Sequence, residues 1–293
     1  MTLEQLRIFV AVAEREHVTN AAADLRLTQS AVSAAVSALE ARYATKLFDR
    51  VGRRIVLSDA GAAFLGEARA VLARAAAAEA VLADIAGLKK GRLALAGSQT
   101  VASYWLPPLI HRFASAYPGV SVAVEIANTE RVAALVHDGE ADIGIVEGEV
   151  DDPALAALTV AEDEMTLVVG RSHPWADGRT IQAADLTSTR WVLRELGSGT
   201  RSVLEAVMRA VGGGLSDLDV AIEFSSNEAV RTAVEAGAGA AVMSRLVASS
   251  SLSSGALVEV AMELPRRRFT ALRRKSRHAT KAATAFLDTI AAG

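Results

Sequence analysis

The chain has 293 residues, a formal net charge of −3 and no cysteine. Disulfides, thiolate metal sites and cysteine nucleophiles are therefore excluded. Apolar residues make up 51%, enough to bury two or three cores, so a small head and a larger body are expected. A protein that coats nucleic acid is basic throughout, so any DNA contact here has to be confined to a local patch. The start, MTLEQLRIF, lacks a basic region followed by an apolar run and a small-residue cleavage site, and no apolar stretch is long enough to span a bilayer. The protein is expected to stay in the cytoplasm, away from membranes.

Leu3, Leu6, Phe9, Val10 and Val12 predict an amphipathic first helix. Residues 18–42 read as two helices joined by Arg26, Leu27 and Thr28. Val18, Ala21, Ala22 and Leu25 form one apolar face, and Val32, Val36 and Leu39 the other. Thr28 can cap the second helix, leaving Gln29, Ser30 and Ser33 on its outward first turns. Small residues, Ala21, Ala22, Ala31 and Ala35, allow a close, steep crossing. The pattern is that of a helix-turn-helix whose second helix enters a DNA major groove, although an ordinary helical hairpin satisfies the same spacing. The flanks favour the former, because residues 46–61 predict a β-hairpin wing carrying Arg50, Arg53 and Arg54, which can clamp phosphates beside the groove.

With these residues in place the chain resembles the LysR-type transcriptional regulators. The match runs through Leu3, Leu6, Phe9, Ala21, Ala22, Leu25, Thr28, Gln29, Ser30, Val32, Ser33, Leu39, Glu40, Leu47, Phe48, Arg50, Leu57, Ser58 and Gly61. Ala34 and Ala35 stand where members commonly carry longer polar side chains, so base reading leans on Gln29, Ser30 and Ser33.

Residues 58–88 predict one long helix, capped by Ser58 or Asp59 and ended by Gly87. Phe64, Val71, Ala78 and Ile85 occupy one heptad position, and Ala68, Ala75 and Leu82 the other. This apolar seam points to a dimerising linker helix, against the alternative of an alanine-rich solvated spacer. The resemblance implies the same pairing, and further a tetramer built of two dimers.

From residue 91 the period changes. Strands are predicted at 92–98, across VSVAVEIA, and at 142–148, 165–170, 190–195, 219–225, 240–244 and around Phe269 to Leu272. Helices are predicted at 100–117 with a kink or restart at Pro107 and Pro108, across TERVAALVHDG, and at about 200–211, 226–236 and 278–290. Alternating strands and helices indicate two α/β lobes with a ligand cleft between them. The resemblance implies a body like that of periplasmic binding proteins, with the last segment crossing back to the first lobe. The expected organisation is thus a winged helix-turn-helix over 1–58, a linker helix over 59–88 and an effector-binding domain over 89–293. Lobe I takes about 91–161 and 266–293, and lobe II about 162–265.

In open α/β sheets the pocket lies beyond the carboxyl ends of the strands. Ser98, Gln99 and Thr100 follow one strand, Asn128 another, and Glu147 closes a third. Arg194, Glu195, Ser198, Gly199, Thr200 and Arg201 follow a strand of the second lobe, and Asn227 opens a helix there. Helix amino ends flanked by hydroxyls and glycines attract anions, and arginines bind oxyanions with paired hydrogen bonds. Plain helix capping explains each junction singly. GSQT and GSGTR at corresponding places in opposed lobes favour a site. Glu147 is open to two readings, accepting from a ligand hydroxyl or holding a hinge donor.

The RWVLRELGSGTR stretch also looks like the branch of the family that includes regulators of carbon dioxide fixation and of sulfur assimilation. That resemblance implies an anionic effector: a sulfur oxyanion such as sulfite or sulfate, or a small phosphorylated or carboxylated metabolite. The five histidines are scattered without metal-site spacing, and GAGAAVMS precedes a strand where a dinucleotide site would follow one. No cofactor is expected. The runs Arg266, Arg267, Arg268 and Arg273, Arg274, Lys275 read as a solvated basic face. The expected function is a ligand-responsive regulator that binds an inverted-repeat operator in double-stranded DNA. An enzyme would need an activated nucleophile or a metal cluster, and a transporter's solute-binding protein would not carry the head.

Overall fold

The computed structural model describes residues 1–51, 54–85, 91–276 and 279–292. They form two compact units, one holding Met1–Ile85 and the other both of the larger sheets.

In the first unit, α1 (Leu3–Arg15) starts at a capping box in which Thr2 and Gln5 bond reciprocally. Helices α2 (Val18–Leu25) and α3 (Gln29–Tyr43) follow, joined through Arg26 and Thr28 as their spacing predicts. Arg26 ends α2 in the left-handed conformation at φ 55°, and Thr28 accepts from the Ala31 N–H at 3.2 Å to start α3. Strands β1 (Phe48–Val51) and β2 (Arg54–Leu57) pair antiparallel as the wing. Val32, Ala21, Ala22, Val12 and Ile8 fill one cluster, with Ala35 and Val36 beside it. Small alanines at the crossing let α2 and α3 approach α1 closely.

Helix α4 (Asp59–Ile85) begins where the Ser58 hydroxyl accepts from the Gly61 N–H at 3.0 Å. Gly61 is required there, since a Cβ would stand 2.0 Å from the Leu47 carbonyl oxygen. Two residues of the predicted seam also take part in the head's packing. Phe64 and Ala68 pack with Phe9, Leu6, Leu39 and Leu47 in the unit's own core, with Phe9 and Phe64 ring centroids 5.0 Å apart. Val71 is exposed and Ala75 half-buried. The predicted stop at Gly87 lies outside the described residues.

The second unit contains two five-stranded sheets. In the first, β3 (Gly91–Ser98), β4 (Val120–Ala127) and β5 (Ile143–Glu147) run parallel in the order β4-β3-β5. Between β3 and β4 the chain makes a π-turn, Val101–Trp105, and restarts as α5 (Leu106–Ala116), whose first turn takes the prolines without losing a hydrogen bond. Helix α6 (Thr129–Asp138) links β4 to β5. Strand β6 (Leu155–Asp163) closes the sheet, but only after β12 has been inserted beside β5.

One residue past β6, strand β7 (Met165–Gly170) opens the second sheet. Its order is β11-β7-β10-β8-β9, from β8 (Arg190–Arg194), α7 (Gly199–Ala210), β9 (Asp219–Phe224), α8 (Asn227–Glu235), β10 (Ala240–Ser244), α9 (Arg245–Ser253) and β11 (Leu257–Val260). β12 (Arg267–Arg274) then returns to the first sheet, antiparallel to both β5 and β6, and α10 (Lys281–Ala291) packs on that lobe through Phe286 against Phe113. The chain thus passes between sheets twice, at 164 and between β11 and β12.

Among the described residues, β6, α9 and β11 have no counterpart in the sequence pattern. β6 is an edge strand in which Ala156, Ala157 and Ala161 blunt the alternation and Leu158 is exposed. α9 is serine-rich, a composition that favours turns until tertiary packing buries Val247 and Ala248. β11 is short. Among the described residues no helix is long and apolar enough to cross a membrane.

Candidate functional site

In the first unit, Gln29, Ser30 and Ser33 are exposed on the amino-terminal turns of α3, beside Ala31 and Ala34. Thr28 is exposed too, its hydroxyl engaged in the cap and 3.0 Å from that of Ser30. Arg50 lies on β1 and is exposed. Arg53 lies outside the described residues, and Arg54 is the first residue of β2. The wing is tied to α3 by Glu40, buried at 8% exposure, whose Oε1 accepts the Leu47 N–H at 2.9 Å and the Phe48 N–H at 3.3 Å. Burial opposes ionisation of Glu40, yet the Lys46 ammonium and these two N–H groups hold its carboxyl below the usual range.

The second unit gathers its buried polar residues at the carboxyl ends of strands from both sheets. Ser98 ends β3 and Glu147 ends β5; Arg194 ends β8, and Ser198, Gly199, Thr200 and Asn227 stand at the starts of α7 and α8. All are buried. Thr100 joins the two lobes, its hydroxyl accepting from Asn227 Nδ2 at 3.1 Å, while Gln99 accepts from the Asn227 N–H at 3.0 Å and donates to the Ser225 carbonyl. Asn128 caps α6 by accepting from the Arg131 N–H at 2.9 Å and reaches across to the Leu196 carbonyl. Tyr104 adds a further bridge, donating to Glu228 at 3.0 Å. Burial and the neighbouring Glu228 charge raise the Tyr104 hydroxyl above its usual range.

Arg194 and Arg201 are both engaged. Arg194 forks onto Glu195 at 2.7 and 2.9 Å and donates to Asn227 Oδ1. Arg201 donates to the Arg194 carbonyl, Glu205 and Glu223, so its charge is met by surface acids.

The cation bonded to both lobes is Arg267, which the sequence pattern assigns to a solvated face. The run at 266–268 is no uniform solvated face. Arg266 and Arg268 are exposed, while Arg267 is 6% exposed and lies in phase with the buried Phe269 and Ala271 of β12. That two-residue alternation was the signal available in the sequence. Arg267 Nε donates to Asp163 at 2.5 Å, Nη1 to Thr200 at 3.2 Å and Nη2 to Thr100 at 3.5 Å. Asp163, also missed, accepts in turn from the Ser244 hydroxyl at 2.6 Å. One guanidinium therefore bonds threonines at the mouths of opposed lobes. Gly199 lets α7 rest on Glu147, since a Cβ there would lie 2.2 Å from the Glu147 carbonyl oxygen. Among the described residues no group of His, Asp or Glu is gathered to hold a metal.

Residues 3–62 match the family model described as bacterial regulatory helix-turn-helix protein, lysR family, and residues 86–293 that of the LysR substrate binding domain. The chain is 33% identical over 290 residues to YeiE of Escherichia coli (strain K12), an uncharacterized HTH-type transcriptional regulator, covering 98% of this chain and 96% of that one. It is 34% identical over 261 residues to the HTH-type transcriptional regulator CbbR of Rhodospirillum rubrum, covering 89% and 85%. Full-length CbnR complexed with its target DNA shares the fold, with a TM-score of 0.71, 22% identity and coverage of 100% and 99%. The Synechocystis PCC6803 CcmR regulatory domain in complex with 2-PG is 26% identical with a TM-score of 0.64, covering 69% of this chain and 97% of that one.

Proposed function

This chain belongs to the LysR family of transcriptional regulators, and from that premise we propose that it senses a small anion in the cleft between its two α/β lobes and binds an inverted-repeat operator. It is a ligand-responsive, DNA-binding regulator and not an enzyme. The observation that carries the effector reading is Arg267, which donates to Thr100 of one lobe and Thr200 of the other. A ligand inserted among these three groups exchanges hydrogen bonds with both lobes at once. It shifts the lobe equilibrium by its difference in affinity for the two arrangements.

The starts of α7 and α8 join this cluster through Thr200 and Asn227, and helix starts favour negative charge. The candidate effectors are a sulfur oxyanion such as sulfite or sulfate, or a small phosphorylated or carboxylated metabolite. The complex of the Synechocystis PCC6803 CcmR regulatory domain with 2-PG supports a small-molecule effector. In this reading Ser98, Gln99, Thr100, Asn128, Glu147, Ser198, Gly199, Thr200 and Asn227 line the ligand together with Arg267, while Arg194, Glu195 and Arg201 hold the walls. Gln29, Ser30 and Ser33 read base edges, Thr28 fixes the start of α3, and Arg50, Arg53 and Arg54 hold phosphates. The protein acts in the cytoplasm as a dimer paired through the exposed part of α4, assembled into a tetramer. Two heads then meet successive major grooves about 34–36 Å apart.

The test is to sequence the DNA fragments that the purified protein retains, with and without oxyanions and small acids in the wash. An inverted repeat whose retention changes with one anion class supports the proposal. Retention without sequence preference refutes the operator reading, and retention indifferent to every anion refutes the effector reading.

A further inference from the structure

Building on the cleft as the effector site, the buried groups show what kind of anion fits. Each nitrogen of the two buried guanidinium groups has a partner: Arg267 bonds Asp163, Thr200 and Thr100, and Arg194 bonds Glu195 and Asn227. Two side-chain oxygens beside them have no partner at all. Glu147 is 2% exposed, yet its Oε2 has no hydrogen-bond partner, and its Oε1 stands 3.7 Å from Arg267 Nη1, beyond hydrogen-bond reach. Ser98, also 2% exposed, ends the neighbouring strand with an equally unpartnered hydroxyl. A buried carboxylate oxygen without a donor is costly, and a native fold that retains one needs a reason. The Glu147 side chain lies against the start of α7, where a Cβ on Gly199 would be 2.8 Å from its Cγ. The orphan atom thus belongs to the place where the anion is to bind.

Glu147, Asp163 and Glu195 also outnumber Arg194 and Arg267. An anion with no proton to give meets repulsion from Glu147, whereas one that carries an O–H turns the same carboxylate into a partner. We propose that the effector is an anion bearing an O–H group beside its charge, either a hydroxy acid or a singly protonated oxyanion. Glu147 accepts from that O–H and is the residue that rejects aprotic anions of equal size. Ser98, with a hydroxyl that can both donate and accept, lines the same end of the site.

The experiment is calorimetric titration of the full-length protein with two matched pairs: lactate against propionate, and phosphate against sulfate. The first pair tests a carbon-borne hydroxyl, and the second, near neutral pH, the acidic proton of an oxyanion of the same shape. In at least one pair the O–H bearer should bind more than about tenfold tighter, as expected where a site is built around a donor. In Glu147→Gln, whose amide can itself donate, that ratio should fall to within about threefold. Equal binding within both pairs, or a preference unchanged in Glu147→Gln, overturns the proposal while leaving an anion site in place. Failure of all four probes to bind the wild-type protein overturns this inference, and the effector reading is then decided by the fragment-retention experiment. Should Glu147→Gln not fold, the wild-type pairs decide alone.

Discussion

Asp163 and Arg267 face each other across the antiparallel ladder of β6 and β12, where the chain leaves the first sheet and where it returns, with Nε 2.5 Å from Oδ2. Both are buried, so the pair fixes the two crossing strands to one another. Removing one partner of a buried pair leaves an uncompensated charge. Arg267→Ala is expected to lower stability by about 3–5 kcal/mol, read as the shift in the denaturant midpoint. Asp163→Asn combined with Arg267→Met should recover part of the loss. A double variant as unstable as Arg267→Ala would show that the charge balance is not what matters.

Thr100 and Thr200 each present a hydroxyl to Arg267 from opposite lobes. Thr200→Ala removes its hydrogen bond from Arg267, and Thr100→Ala removes those from Arg267 and Asn227, each worth about 1 kcal/mol. The protein should stay folded and keep its operator affinity without effector within about twofold. The effector response should disappear, as measured by fluorescence anisotropy of a labelled operator with and without ligand.

On α3, Gln29 is the exposed side chain of the first turns able to make a paired contact with adenine. Gln29→Ala should reduce discrimination at one base position by about 1–3 kcal/mol. Arg50→Ala should weaken binding to all sequences alike and flatten the log–log salt slope by about 0.9. Selection of retained fragments and titration at several salt concentrations separate the two. A sequence-dependent effect of Arg50→Ala would reverse its assigned role.

Glu40 sets a pH dependence in the head. Its carboxyl is held below the usual range, so it contributes stability above the ordinary glutamate value, lost as pH falls through the lowered folded value. Unfolding of the wild-type head should therefore become easier on acidification below about pH 4.5. Glu40→Gln should cost about 1–3 kcal/mol at neutral pH and show a shallower acid limb. Parallel acid limbs in the two proteins would assign the dependence to other groups.

Gly199 carries the close approach of α7 to Glu147. Gly199→Ala should displace the start of α7 and weaken effector binding, while operator binding without effector is retained. Calorimetry and anisotropy on the same preparation decide this, and unchanged effector affinity would show that the contact gives way without consequence.

Much of this protein was legible from local pattern. The Thr28 cap, the alanines at the α2–α3 crossing, and the strand and helix periods of 91–244 are short-range signals, and each specifies its element through neighbours a few residues away. The hydroxyls at strand ends were legible for the same reason. What the local pattern could not settle is which charges face inward. Arg267 and Asp163 are separated by 104 residues and meet only because β12 is inserted between β5 and β6. Within an RRR run nothing but the register with Phe269 distinguishes the buried arginine from its exposed neighbours. Likewise Phe64 and Ala68 fit a heptad seam by spacing, and it was the arrival of α1 that drew them into the head's own core. Periodicity is determined along the chain, whereas the partner that a face or a charge meets depends on long-range strand order and helix packing, so only the tertiary fold decided it.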